Sequence, residues 1–250
     1  MPRIAAIVCA LLLVAGLAAK SDRATRGEGT LEVAVTTDPL ADIVRNAGGR
    51  RVRVTAIVPR GEDPHRWRPT RADLATLGSA DVVVRSGGSV DRWAAGAAAG
   101  RELTLLPRLS PLGRDPHWWL DPVRVERAVK EIRNELARAD VDGAGYYEAA
   151  SADFLARVRK LHRETRRCLI GLSGARERIA TPHAAFRYFG ARYGIQFAAP
   201  RRATIGRRLW GDTLGPDGSA SDSYLGAMAE NVQVVVSALS GGTRTCRPQP

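Results

Sequence analysis

From Leu31 onward, short apolar runs of period two alternate with helical stripes, and this pattern leaves few folds open. "LEVAVTT" places Leu31, Val33 and Val35 on one side of a strand. "DPLADIVRNAGG" follows, with Leu40, Ile43 and Val44 on one helical face and Gly48 as the stop. "VRVTAIV" from Val52 is a second strand. "TRADLATLG" opens with Thr70 as cap and Asp73 three residues on, a capping box. "ADVVVRSGG" and "ELTLLP" are the third and fourth strands. "LDPVRVERAVKEIRNELARA" begins with Asp121 as cap and Pro122 at the first helical position, and Val125, Val129, Ile132 and Leu136 form its stripe. A longer helix spans about 145–169, with Tyr147, Phe154, Val158, Leu161 and Cys168 at helical spacing. "RIATPH" and "IQFAAP" are strands on either side of the helix "AAFRYFGARYG". A last helix over 222–239 carries Leu225, Met228, Val232, Val235 and Leu239. Such alternation predicts an α/β protein with largely parallel sheets. The 145–169 helix has no strand returning within it and is expected to bridge two lobes.

The first nineteen residues read differently. "MPRIAAIVCALLLVAGLAA" has a basic residue, an apolar run and small residues at its end, the pattern of an export signal. Lys20 stands where a lipoprotein signal would carry cysteine, so a cleaved, unlipidated exported protein is expected, with an uncleaved anchor as the alternative. Removing that segment leaves Cys168 and Cys246. Outside the cytoplasm two cysteines usually pair, though one buried and one idle thiol remain open. The formal net charge is +12, almost all of it arginine, since Lys20, Lys130 and Lys160 are the only lysines. The arginines are scattered without interleaved aromatics, which argues against nucleic acid as a partner.

Three of the four histidines follow a proline: His65 and His117 in repeated Asp-Pro-His tripeptides, and His183 in "TPHAAF". Composition alone predicts about a quarter of one Pro-His pair. Each of the three follows a predicted strand, and open α/β sheets bind ligands beyond the carboxyl ends of their strands. Three imidazoles on proline-stiffened loops suit a metal ion. Asp212, in the glycine-flanked loop "WGDTLGPDG", completes a four-donor set suited to zinc, with manganese or iron also compatible. Neutral imidazoles are needed, so affinity is expected to fall as pH drops through about 6. His162, on the long helix, is expected to be solvated and is left out. Asp63 and Asp115 either orient the imidazoles or serve only the turns. Trp67, Trp118, Trp119 and Trp210 lie within two residues of a proposed ligand and either wall the site or pack a lobe interface.

"TTDPLADIVRNAGG", "VTAIVPRGEDPHRWRPTRADLATLGSADVVV", "DPHWWLDP", "YYEAASADFLARV", "TPHAAFRYFGARYGI" and "WGDTLGPDGSASDSYLGAMAENV" occur in that order. Together they resemble the metal-binding solute-binding proteins of zinc and manganese ABC importers, the adhesin-like cluster A-I family. The resemblance implies two Rossmann-like lobes, a linking helix and one divalent ion, zinc or manganese, held between the lobes as cargo for a membrane permease. It implies His65 and His117 from the first lobe, and His183 and Asp212 from the second. His183, where manganese-selective members tend to have a carboxylate, leans toward zinc. The expected division is a signal over 1–19, a tether over 20–30, a first lobe over 31–143, a linking helix over 144–170, a second lobe over 171–243 and a tail over 244–250. An extracytoplasmic, monomeric, non-enzymatic protein follows from the same resemblance.

Two departures bear on these expectations. "GRELTLLPRLSPLGRD" lacks the histidine-rich stretch common in zinc members. The resemblance implies a further helix–strand–helix stretch between "GIQFAAP" and the aspartate loop, but only "RRATIGRRLWG" intervenes, where a complete βαβ unit takes roughly thirty residues. The second lobe is therefore expected to be internally shortened, with Asp212 at risk of lying out of reach. Two other readings stay open: a degenerate relative with weak or no metal binding, and a zinc hydrolase with water at an open position. No His-Glu-x-x-His motif supports the latter.

Overall fold

Strand β1 (Leu31–Val35) lies between β2 (Val52–Ala56) and β3 (Val82–Arg85), and β4 (Arg101–Thr104) closes the order β2-β1-β3-β4. All pairings are parallel, with Val33 opposite both Val54 and Val82. The computed structural model describes residues 29–172, 179–181, 184–198 and 209–250. The expected signal segment, most of the tether including Lys20, and His183 lie outside the described residues. Leu31–Pro250 form one compact unit.

Period two sorts the sheet's side chains as expected. Val33, Val35, Val82 and Val84 enter the main core, whereas Ala34 and Val83 face a second cluster with Ile57, Leu77 and Ala94. A parallel sheet needs cover on both faces. Helix α1 (Asp38–Gly48) and helix α3 (Pro122–Ala139) supply buried stripes to the main core. Helix α2 (Arg71–Ser79) supplies Leu77 to the other cluster, and its Thr70–Asp73 capping box is formed. At the carboxyl end of β3 the chain turns sharply through Gly87, whose φ of 92° disfavours any side chain. A Cβ there would sit 2.8 Å from the Leu106 side chain. Buried Asp91 accepts from the Gly87 N–H and from Thr36 Oγ1, joining the ends of β1 and β3 beneath the loops that follow them.

Helix α4 (Ala144–Cys168) runs 25 residues without interruption, as its spacing predicts. Beyond it, β5 (Ile179–Ala180) and β6 (Phe197–Ala198) pair in parallel as a second, two-stranded sheet, with helix α5 (Arg187–Tyr193) between them. Helix α6 (Tyr224–Leu239) ends the fold, starting two residues later than expected because Ser223 is the cap. Cys168 and Cys246 are joined in a disulfide. The architecture is thus α/β, with one parallel sheet before the long helix in the chain and one after it. Among the described residues no helix is long and apolar enough to cross a membrane.

Candidate metal centre

The repeated Asp-Pro-His tripeptides make the same side-chain-to-backbone closure twice. Asp63 Oδ1 accepts from the His65 N–H at 2.9 Å, and Asp115 Oδ1 accepts from the His117 N–H at 3.0 Å. An aspartate side chain closing onto the backbone two residues ahead, with proline between, leaves the histidine at the tip of a stiff loop. Both loops leave the carboxyl edge of the four-stranded sheet, one after β2 and one after β4. At His117 the same Oδ1 also lies 2.6 Å from Nδ1, which turns Nε2 outward. Asp115 therefore orients its imidazole as well as making the turn.

Three donor atoms meet. His65 Nε2 lies 3.1 Å from His117 Nε2, His117 Nε2 lies 3.0 Å from Asp212 Oδ1, and His65 Nε2 lies 3.3 Å from the same oxygen. Tetrahedral zinc with nitrogen and oxygen donors at about 2.0–2.1 Å spaces those donors about 3.3 Å apart. The triangle fits such an ion, and imidazole with carboxylate also suits manganese. The His117 side chain is 5% exposed, Asp212 15% and His65 29%, so the cluster has a buried side and an open one.

The shortened segment before Asp212 does not carry it away, contrary to the risk its length raised. Neighbours on both sides are fastened. The Trp119 Nε1–H donates to the Gly211 carbonyl at 2.6 Å. Asn231, fully buried on α6, accepts from the Trp210 N–H at 2.7 Å and donates to the Trp210 carbonyl at 2.8 Å. Asp38, at the start of α1, accepts from the Leu214 N–H at 3.0 Å and from Thr213 Oγ1 at 3.3 Å. Thr213 Oγ1 also accepts from the Gly61 N–H, and Arg60 donates to the Gly215 carbonyl. Side chains from β1, β2 and β4 exits and from α6 thus hold one loop. Sequence reasoning missed Asp38, Arg60 and Asn231. Asn231 had a readable signal: it falls on the apolar stripe with Met228 and Val235, where a buried amide must find partners.

Burial disfavours charge on His117, but hydrogen bonds and attraction from Asp115 and Asp212 outweigh it, and its pKa is pushed up to about 9. The metal-free site therefore holds a proton where a cation would bind. His162 behaves oppositely. It is half-buried rather than solvated, its Nδ1 lies 3.0 Å from the Tyr193 hydroxyl, and burial and then Arg192 hold its pKa below the ordinary value. It takes no part in the triangle. The Trp119 ring meets the His117 ring edge-on at 5.4 Å, so this tryptophan both walls the site and anchors the Asp212 loop.

The sequence model of the family described as zinc-uptake complex component A, periplasmic (ZnuA), matches residues 33–206. The chain belongs to the ZnuA family. It is 28% identical over 200 residues to the manganese-binding lipoprotein MntA of Halalkalibacterium halodurans, covering 76% of this chain and 67% of that protein. It is 25% identical over 221 residues to the high-affinity zinc uptake system protein ZnuA of Bacillus subtilis, again covering 76% and 67%. The fold is that of the periplasmic zinc-binding protein TroA from Treponema pallidum, with a TM-score of 0.74 at 20% identity over 84% of this chain and 99% of that one. The ZnuA-family match includes the two Asp-Pro-His loops and ends before the Asp212 loop, which the structure brings to the same place.

Proposed function

We propose that this protein is the extracytoplasmic substrate-binding component of an ABC importer for zinc, with manganese as the alternative cargo, and not an enzyme. One divalent ion is held by His65, His117 and Asp212, with His183 as fourth ligand, between a first lobe over 31–143 and a shortened second lobe over 171–243. The ion is passed to a membrane permease, and the protein acts as an exported, unlipidated monomer. The observation that carries this reading is the donor triangle, whose edges of 3.0–3.3 Å match those around a four-coordinate cation. A relative that had lost metal binding would have no reason to retain it. Membership of the ZnuA family and the names of the zinc- and manganese-binding relatives support the same cargo class. The test is the metal content of the chelator-stripped protein after exposure to zinc or manganese at neutral pH. One ion per chain is expected, and His65→Ala or His117→Ala should abolish it while His162→Ala retains it. Uptake of neither ion by the unsubstituted protein would overturn the assignment.

A further inference from the structure

The segment that carries His117, "DPHWWLD", is held at both ends by one short helix. The Tyr188 hydroxyl donates to the Asp115 carbonyl at 3.0 Å and accepts from the Leu112 N–H at 2.9 Å, so one phenol braces both arms of the loop. Four residues on, Arg192 grips the Asp121 carboxylate with two parallel bonds of 2.8 Å each, Nε to Oδ1 and Nη2 to Oδ2. Positions four apart share a helix face, so α5 presents both groups to the segment together. Arg187 adds a bond to the Leu112 carbonyl. Neither clamp is a surface accident. Tyr188 and Asp121 are fully buried, and the Arg124 guanidinium stacks 4.7 Å above the Tyr188 ring. Bidentate arginine–carboxylate pairs fix orientation as well as distance.

Resting on the metal-site reading above, the geometry points to Tyr188 and Arg192 as positioning residues for the metal site: they hold the His117 segment in one register against α5, and the Asp115 brace on the His117 ring is only as fixed as that segment. Neither side chain touches the ion. Losing the Tyr188 hydroxyl frees the Leu112 N–H and the Asp115 carbonyl together, one residue from the proline that sets the turn. Groups that orient ligands in this indirect way typically govern 10–100-fold in metal affinity.

The discriminating comparison is Tyr188→Phe against Tyr193→Phe. Tyr193 is also buried on α5, but its hydroxyl lies 3.0 Å from the His162 Nδ1 on α4, whereas that of Tyr188 bonds the backbone of the metal segment. Zinc affinity is measured by competition with a chelator, and amide exchange across 109–121 is followed in the metal-free protein. Tyr188→Phe is expected to weaken zinc about 10–100-fold and to speed exchange in that segment. Tyr193→Phe, at a comparable loss of thermal stability, should leave affinity within about twofold and exchange unchanged. Arg192→Lys, which keeps the charge and loses the fork, should weaken zinc in the same direction and provides the test if Tyr188→Phe does not fold. Equal affinities and equal exchange in the two tyrosine variants would overturn the clamp. Absence of zinc binding in the unsubstituted protein would instead overturn the metal reading, and the exchange comparison would still decide the clamp.

Discussion

Binding of an ion should expel a proton, and the structure says from where and over what pH range. With its pKa at about 9, His117 is protonated in the metal-free protein at neutral pH. A cation needs the neutral ring, so apparent affinity should fall about tenfold for each pH unit below about 9, roughly 100-fold between pH 9 and pH 7. The sequence alone placed this fall near 6, because it could not show Asp115 and Asp212 on either side of one buried imidazole. The linkage runs the other way for the metal-free fold. A histidine whose folded pKa lies above its unfolded value of 6.5 stabilises fully below 6.5 and loses that stabilisation as pH rises through 9. The amount at stake is on the order of 3 kcal/mol. The metal-free protein should therefore lose stability between pH 6.5 and 9 while zinc affinity rises across the same window. Calorimetry of zinc binding in two buffers of different ionisation enthalpy counts the protons. Close to one per ion is expected at pH 7.5. Release of none, together with an affinity flat from pH 7 to 9, would refute the reasoning. Asp115→Asn, which removes one of the two carboxylates, should move the window downward.

Asn231→Ala removes both bonds to Trp210 and should weaken zinc about 10–100-fold through the Asp212 loop; an unchanged affinity in a chelator competition would show that the loop holds without it. Trp119→Phe should abolish most of the change in tryptophan emission on metal binding, since its ring is the one at 5.4 Å from His117, and a full signal in that variant would assign the reporter elsewhere. Reducing the Cys168–Cys246 bond, whose ends are 78 positions apart, should cost about 4.5 kcal/mol in denaturant unfolding on the chain-entropy account. Two reactive thiols in the denatured, unreduced protein would refute that pairing.

Much of the first sheet was legible. Val33 and Val35 alternate with Ala34 because a strand turns successive side chains to opposite faces, and every stripe residue read on α1, α3, α4 and α6 is buried. The turn chemistry was legible too, since Asp-Pro-His carries both the closing carboxylate and the fixed φ. What the sequence withheld depends on tertiary contacts. The separation along the chain between "GIQFAAP" and Asp212 suggested a displaced carboxylate. Its position is set instead by Asp38, Gly61 and Trp119, which lie far away in sequence, and by Asn231 on the helix that follows. His162 looked solvated because a helix wheel does not show the Tyr193 hydroxyl that covers it.

The fastening of the Asp212 loop bears on how cargo leaves. Three of its bonds run to the loops that carry His65 and His117, and two more to Asp38 at the exit of β1. The three donors consequently ride on one frame. Separating the two sheets would not pull this carboxylate away from the two imidazoles. With such a frame, release of an ion from these three donors would need ligand exchange rather than their separation. His65, with the most exposed of the three side chains, is the position an incoming ligand reaches first.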